Sequence, residues 1–282
     1  MAVFTNQATI SYNGVTANSN IAYGEILDVL SITKTAVETG YTADGIVTYV
    51  VTLRNTGSVP LTALTVTDDL GGYPFGTDTV YPLTYVADSA TVFADGVPQA
   101  APSVTVGPPL TVTGFTVPAN GDTVLVYQAR TNAFAPPEGE IVNTVTVTGS
   151  GLTAPLTASE TVSADSEAAI TIFKTISPSQ VVENDTVAYT FRLDNSGTAP
   201  LSATDNAVIR DTFDPILTGL TVTFNGTPWT EGVEYTYDET TGLFTTTAGA
   251  VTVPAATYTQ DPVTGAYTVT PGSALLVVTG VI

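Results

Sequence analysis

The chain has 282 residues, with 26 acidic side chains against 6 basic ones, a net charge of −20, and neither histidine nor cysteine. That balance excludes the basic footprint that a nucleic acid or an anionic membrane requires. The two missing residue types exclude disulfides, thiolate metal sites and catalysis by a Cys or His side chain. Threonine and valine dominate, Gly and Pro punctuate at short intervals, and no stretch carries apolar residues at helical spacing. The expected fold is all-β, in two domains each able to bury its own core. The N-terminus lacks the basic and apolar regions of a secretion signal, and no run reaches the roughly 18 apolar residues of a membrane span, so none is expected in this sequence.

Taken in order, the chain opens on Phe4-Thr5-Asn6-Gln7-Ala8-Thr9-Ile10-Ser11-Tyr12-Asn13-Gly14, which reads as the end of a domain. Its nearest relative is the mid-chain segment Val142-Asn143-Thr144-Val145-Thr146-Val147-Thr148-Gly149. Residues 1–14 are therefore expected to be a free N-terminal donor strand, and residues 15–27, mixed and weakly patterned, a linker. A first sandwich is expected over 28–150. It includes Val29 to Thr35, the alternating strand and Gly-containing turn from Tyr49 to Leu61, and a closing strand from Ile141 to Thr148. After a linker over 151–167, a second sandwich over 168–282 repeats these segments as Ala169 to Thr175 and Tyr189 to Leu201. The offset is 140 for the lysines (174 minus 34) and for the tyrosines (189 minus 49), and 137 for the asparagines (143 minus 6), which marks a tandem repeat. Turn signals at Gly71-Gly72, Asp95-Gly96, Asn120-Gly121, Asn225-Gly226 and Thr241-Gly242 separate many short strands, as in an immunoglobulin-like β-sandwich. The second sandwich reaches its penultimate strand, Ser273 to Gly280, and is expected to lack its last one. That leaves a groove and an unpaired edge, which residues 4–14 of another copy would fill.

The only lysines, Lys34 and Lys174, occupy the same place in the two repeats. Side chains alternate along a strand, so Lys34 shares a face with Leu30 and Ile32, and Lys174 with Ile170 and Ile172. Each ammonium is expected to point inward, at a cost that calls for a reason. Parity also places Asn143 with Ile141, Val145 and Val147, and Asn6 with Phe4, Ala8 and Ile10. Asp68 falls with Leu64, Val66 and Leu70, and Asp211 with Ala207, Ile209 and Phe213. A Lys, an Asp and an Asn on three inward faces are what a spontaneous isopeptide bond requires. Burial favours a neutral amine, the acid polarises the carboxamide, and ammonia leaves. The alternative is a buried Lys–Asp ion pair with the asparagine merely hydrogen-bonded nearby.

On these residues the chain resembles a repeat family of unknown function found in long bacterial and archaeal surface proteins. More distantly it resembles the isopeptide-bonded domains of Gram-positive adhesins and pilins. The matching motifs are Lys-Thr on the first strand, Tyr-x-x-x-x-x-Asn-(Ser/Thr)-Gly-(Ser/Thr), the aspartates of Val66-Thr67-Asp68 and Ile209-Arg210-Asp211, and Asn-x-x-Thr on the last strand. The resemblance covers nearly the whole chain.

The expected function is a structural subunit of an extracellular, cell-surface or spore-surface filament that polymerises head-to-tail with itself. Phe4, Asn6, Ala8 and Ile10 would fill the neighbour's groove, Lys174 would bond to Asn6 between copies, and Lys34 to Asn143 within one. Asp68 and Asp211 would promote the bonds. No cofactor is implied, and the chemistry is single-turnover rather than enzymatic; anchor and tip proteins are not specified. Acidic turns such as Asp68-Asp69, Glu183-Asn184-Asp185 and Asp238-Glu239 lack calcium-loop spacing, so no metal is expected. The alternative is a stalk or ligand-binding module of a surface adhesin, with Phe224, Trp229, Tyr235, Tyr237, Phe244, Tyr258 and Tyr267 either in the core or in an exposed binding patch.

Overall fold

A computed structural model describes residues 2–26, 28–149 and 152–282. The domain boundaries expected at 27 and at 150–151 lie outside the described residues. Among those residues the chain is all-β, with one short 3-10 turn at Ala203–Asp205 as its helical element. It divides into two compact units, residues 1–164 and 165–282, each containing an immunoglobulin-like sandwich with its own core.

In the first unit, one sheet runs in the order Val97–Pro98, Thr91–Ala94, Asp122–Thr131, Ile46–Asn55, Leu30–Ala36, the last being the lysine strand. The facing sheet runs Ser103–Thr105, Leu110–Thr113, Leu64–Asp68, Glu140–Gly149, Leu156–Ala164, Gly40–Tyr41. Leu64–Asp68 is the aspartate strand, Glu140–Gly149 the asparagine strand, and Leu156–Ala164 the return strand. Strict alternation builds the core: Val47, Tyr49, Val51 and Leu53 are buried along one strand, while Ile46 and Arg54 face outward.

In the second unit, the larger sheet runs Ile170–Ser177, Thr186–Asn195, Gly272–Val281, Thr218–Phe224, Thr227–Trp229. The smaller sheet holds three strands, Arg210–Thr212, Leu243–Thr246 and Tyr235–Asp238. Arg210–Thr212 is the counterpart of the aspartate strand, and among the described residues it pairs on one side only, with Leu243–Thr246.

The repeat is kept at the level of register. Lys34 stands opposite Val51, and Lys174 opposite Phe191, 140 residues further along on both strands. The shared Asn-(Ser/Thr)-Gly motif anchors the turn that follows. Asn195 donates to the Ala199 and Pro254 carbonyls and accepts from the amides of Gly197 and Ala169; Asn55 does the same with Val59, Pro118 and Gly57. A Cβ at Gly197 would run into the Glu167 carbonyl oxygen, so the close approach requires glycine.

Two expected linkers are strands. Residues 15–26, read as a linker, form the return half of an N-terminal hairpin. Ala2–Asn6 pairs with Ala22–Ile26, and Thr9–Tyr12 with Val15–Asn18, so residues 2–12 are not a free strand in this chain. Alternation in Val15–Asn18 is too short, and Ala22–Ile26 too small and polar, to register as strand pattern. Likewise 151–167 contains the return strand, which pairs with the asparagine strand along its length and closes the first sandwich at Ala164 rather than 150. Its alternation of outward Thr and Ser with Leu156, Ala158, Glu160, Val162 and Ala164 is that of an edge-proximal strand with one covered face.

Candidate functional site

In the first unit the trio falls together in the core. Lys34 Nζ donates to Asp68 Oδ2 at 2.7 Å, with both side chains essentially without exposure. The Tyr127 hydroxyl donates to the same oxygen, and the Leu70 amide donates to Oδ1 at 2.8 Å. The ammonium lies 4.6 Å from the Tyr49 ring centroid and 5.9 Å from that of Tyr127. Burial pushes the Lys34 pKa down, against the opposing pull of Asp68. The same burial, with Asp68 adding to it, pushes the Tyr127 hydroxyl well up. Asn143 sits on the strand beside Asp68, two positions from Val145, which is Asp68's cross-strand partner. It is fully buried; neither atom of its carboxamide meets a partner at full hydrogen-bond geometry, and the hydroxyls of Tyr49 and Tyr127 are its polar neighbours. Parity therefore placed Lys34, Asp68 and Asn143 on inward faces correctly.

In the second unit Lys174 meets Asp211, and the ammonium lies 4.6 Å from the Tyr189 centroid and 5.4 Å from that of Phe213. The site is open, however: the Lys174 side chain is 40% exposed and that of Asp211 18%. Among the described residues the second unit has no strand in the places of the asparagine and return strands. In the first unit the return strand lies over the lysine strand, and Ile32 and Lys34 are covered. In the second, Ile172, Lys174 and Ile176 face solvent. Lys174 thus keeps the inward direction that parity gives it, on to Asp211, but is not buried within its own unit. Asn6, Phe4, Ala8 and Ile10 are likewise all exposed.

The hairpin repeats the pairing of the asparagine and return strands of the first unit. Asn143 stands opposite Glu160 between the asparagine and return strands, and Asn6 stands opposite Ala22 between the hairpin arms. Two residues earlier, Ile141 faces Val162, and Phe4 faces Gly24.

No family model matches the chain, and no curated protein matches it. Solved structures similar to it include the C-terminal domain of the AgI/II polypeptide BspA of Streptococcus agalactiae, at 13% identity over 89% of this chain and 91% of that one, with a TM-score of 0.37. The pilus backbone RrgB of Streptococcus pneumoniae matches at 11% identity over 86% of this chain and 55% of that one, TM-score 0.35. The collagen-binding domain of a Staphylococcus aureus adhesin matches at 12% identity over 48% and 97%, TM-score 0.31.

The aromatic cluster of the second unit serves mostly to fill its core. Phe224, Tyr235 and Phe244 are buried, Trp229 stacks on Phe224 at 4.9 Å, and Tyr237 packs on Phe213. Tyr258 and Tyr267 are half-buried on a separate hairpin. Among the described residues no group of three or more acidic side chains is arranged to hold a metal ion. Sequence reasoning missed Tyr127, whose only signal was an inward position in Thr123 to Arg130, and the return arm of the hairpin.

Proposed function

We propose that this chain is a structural subunit of a self-assembling filament on a cell or spore surface. The N-terminal hairpin of one copy completes the open sandwich of the next, and Lys–Asn isopeptide bonds lock both sandwiches. The observation that carries the reading is the Asn143 carboxamide, fully buried and without a partner at full hydrogen-bond geometry, in the core that also holds a lysine and an aspartate in contact. An unsatisfied buried polar group costs about 1–3 kcal/mol and calls for a reason; reaction with Lys34 supplies one.

In this mechanism Asp68 takes a proton from the Lys34 ammonium, and the neutral amine, already favoured by burial, attacks Cγ of Asn143. Asp68 then protonates the departing carboxamide nitrogen and takes back the second proton from Nζ. The Cγ–N bond of the amide breaks, an Nζ–Cγ bond forms, and one ammonia leaves; no oxidant or cofactor enters. Between copies, Asn6, Lys174 and Asp211 take the same roles once the hairpin covers the lysine strand.

Two arms are needed because two strands are missing. The first arm pairs along the free edge of Arg210–Thr212, and the return arm lies over Ile172, Lys174 and Ile176. Main-chain pairing along an edge with alternate side chains in a groove is β-augmentation. Donor and acceptor surfaces differ, so the contact is head-to-tail and propagates as an open fibre. The partner is another copy of this chain. The chemistry is performed once per site, so the protein is not an enzyme in the turnover sense.

The test is the purified protein boiled in detergent and run on a denaturing gel, with intact mass measured for each band. The expected result is a ladder of oligomers, each lighter by one ammonia per Lys–Asn pair, and abolished by Asn6→Ala or Lys174→Ala. A concentrated sample that stays monomeric in native and denaturing conditions would overturn the reading.

A further inference from the structure

We infer that Phe4 and Gly24 act as one unit, a single plug that determines whether the hairpin fits the open sandwich; this rests on the head-to-tail reading above. In the first sandwich, two residues before the bonding asparagine, the cross-strand pair is Ile141 and Val162, both buried to 1% exposure or less. At the same position in the hairpin the pair is Phe4 and Gly24. Isoleucine and valine carry four and three side-chain carbons; phenylalanine carries seven and glycine none. The hydrocarbon is conserved while its distribution over the two strands is not.

The geometry gives the reason for the glycine. The Phe4 ring lies across the hairpin over Gly24, so that a Cβ there would overlap the ring. Gly24 has an ordinary backbone conformation, since its φ is not positive, so the glycine is required by the ring and not by the turn. Phe4 is 56% exposed in the single chain, a large apolar side chain held on the face that also carries Asn6, Ala8 and Ile10. A glycine within a strand weakens it, and the three atoms nearest to the place of its absent Cβ all belong to the Phe4 ring. Docked, the ring spans the width that Ile141 and Val162 fill jointly in the first sandwich. It also fixes the register, because a one-residue slip turns Phe4 and Asn6 to the wrong face.

The experiment is a double-mutant cycle on the full chain in an Asn6→Ala background, where association is reversible and is followed by sedimentation velocity against concentration. Phe4→Ile removes three carbons and Gly24→Val adds three that collide with the ring, so each alone is expected to weaken association about tenfold or more. The double variant F4I/G24V rebuilds the Ile–Val pair of the first sandwich and is expected to recover a large part of that loss, which makes the two effects non-additive. Additive losses, or no loss from either change while the parent chain associates, would overturn the plug and leave the head-to-tail reading standing. A parent chain that does not associate, together with no covalent ladder from the unmodified protein, would overturn both.

Discussion

The Lys34 ammonium lies 2.7 Å from the Asp68 carboxylate, and neither side chain reaches solvent. A buried ion pair of this kind is weak evidence of stabilisation by itself. The crosslink it would serve is a different matter. Joining Lys34 to Asn143 closes a loop of about 110 residues, for which chain entropy alone gives about 4–5 kcal/mol by the relation established for disulfides. Asn143→Ala should restore the ammonia to the intact mass and lower the melting temperature of the first unit by about 10 °C or more. An unchanged mass defect relative to sequence would show that Asn143 is not the acceptor.

Reactivity should separate the two lysines. Brief treatment of monomeric Asn6→Ala chain with an amine-acylating reagent is expected to label Lys174, whose side chain is accessible, and to spare Lys34. Peptide mapping reads the outcome. Assembled protein should lose the Lys174 label, because the docked return arm covers it, and equal labelling before and after assembly would contradict the arrangement.

Stability should depend on pH through Lys34 wherever the bond cannot form. Burial holds its folded pKa below the ordinary 10.5, so between the two values the unfolded chain binds more protons than the folded one. Stability therefore rises as pH climbs through that window and is lost as pH falls through the folded value. Urea midpoints of Asn143→Ala at neutral and mildly alkaline pH, kept below the ordinary tyrosine value of 10.0 where Tyr49 and Tyr127 do not yet contribute, should show a positive slope. Adding Lys34→Met should flatten it.

The turn asparagines are structural, and their loss should be local. Asn195→Ala leaves the Ala199 and Pro254 carbonyls and the Gly197 amide without their partner. A cost of about 2–4 kcal/mol to the second unit follows from several orphaned backbone groups. Limited proteolysis should show the region after residue 165 opening while the first unit stays intact; simultaneous loss of both would argue against independent folding.

Much of this site was legible because strand parity is a strong constraint. A lysine between Leu30, Ile32 and the next strand had to face the core, and Asp68 between Val66 and Leu70 had to face it too. The 140-residue offset then carried the lysine and its strand neighbours into the second repeat, down to the register of Lys174 against Phe191. What failed was the reading of weak strands. Thr157, Ser159 and Thr161 alternate with Leu156, Ala158 and Glu160, but a glutamate in the inward series conceals the pattern. In the hairpin, Gly24 stands where Val162 does, so the residue that completes the plug is the one that erased the strand signal. Lys174 marks the limit of parity, which reports the direction of a side chain without reporting how much of it lies open to solvent.

The spacing between strands has a mechanical consequence. Inside the chain, the return strand ends at Ala164 and the next lysine strand begins at Ile170; at the front, the return arm ends at Ile26 and the lysine strand begins at Leu30. In the proposed fibre, with the hairpin seated in a neighbour, the passage from one sandwich to the next would be a short stretch of backbone at either place. Tension would cross from sandwich to sandwich through the same sequence of parts, and the boundary between separately synthesised polypeptides would be no weaker a seam than the middle of one.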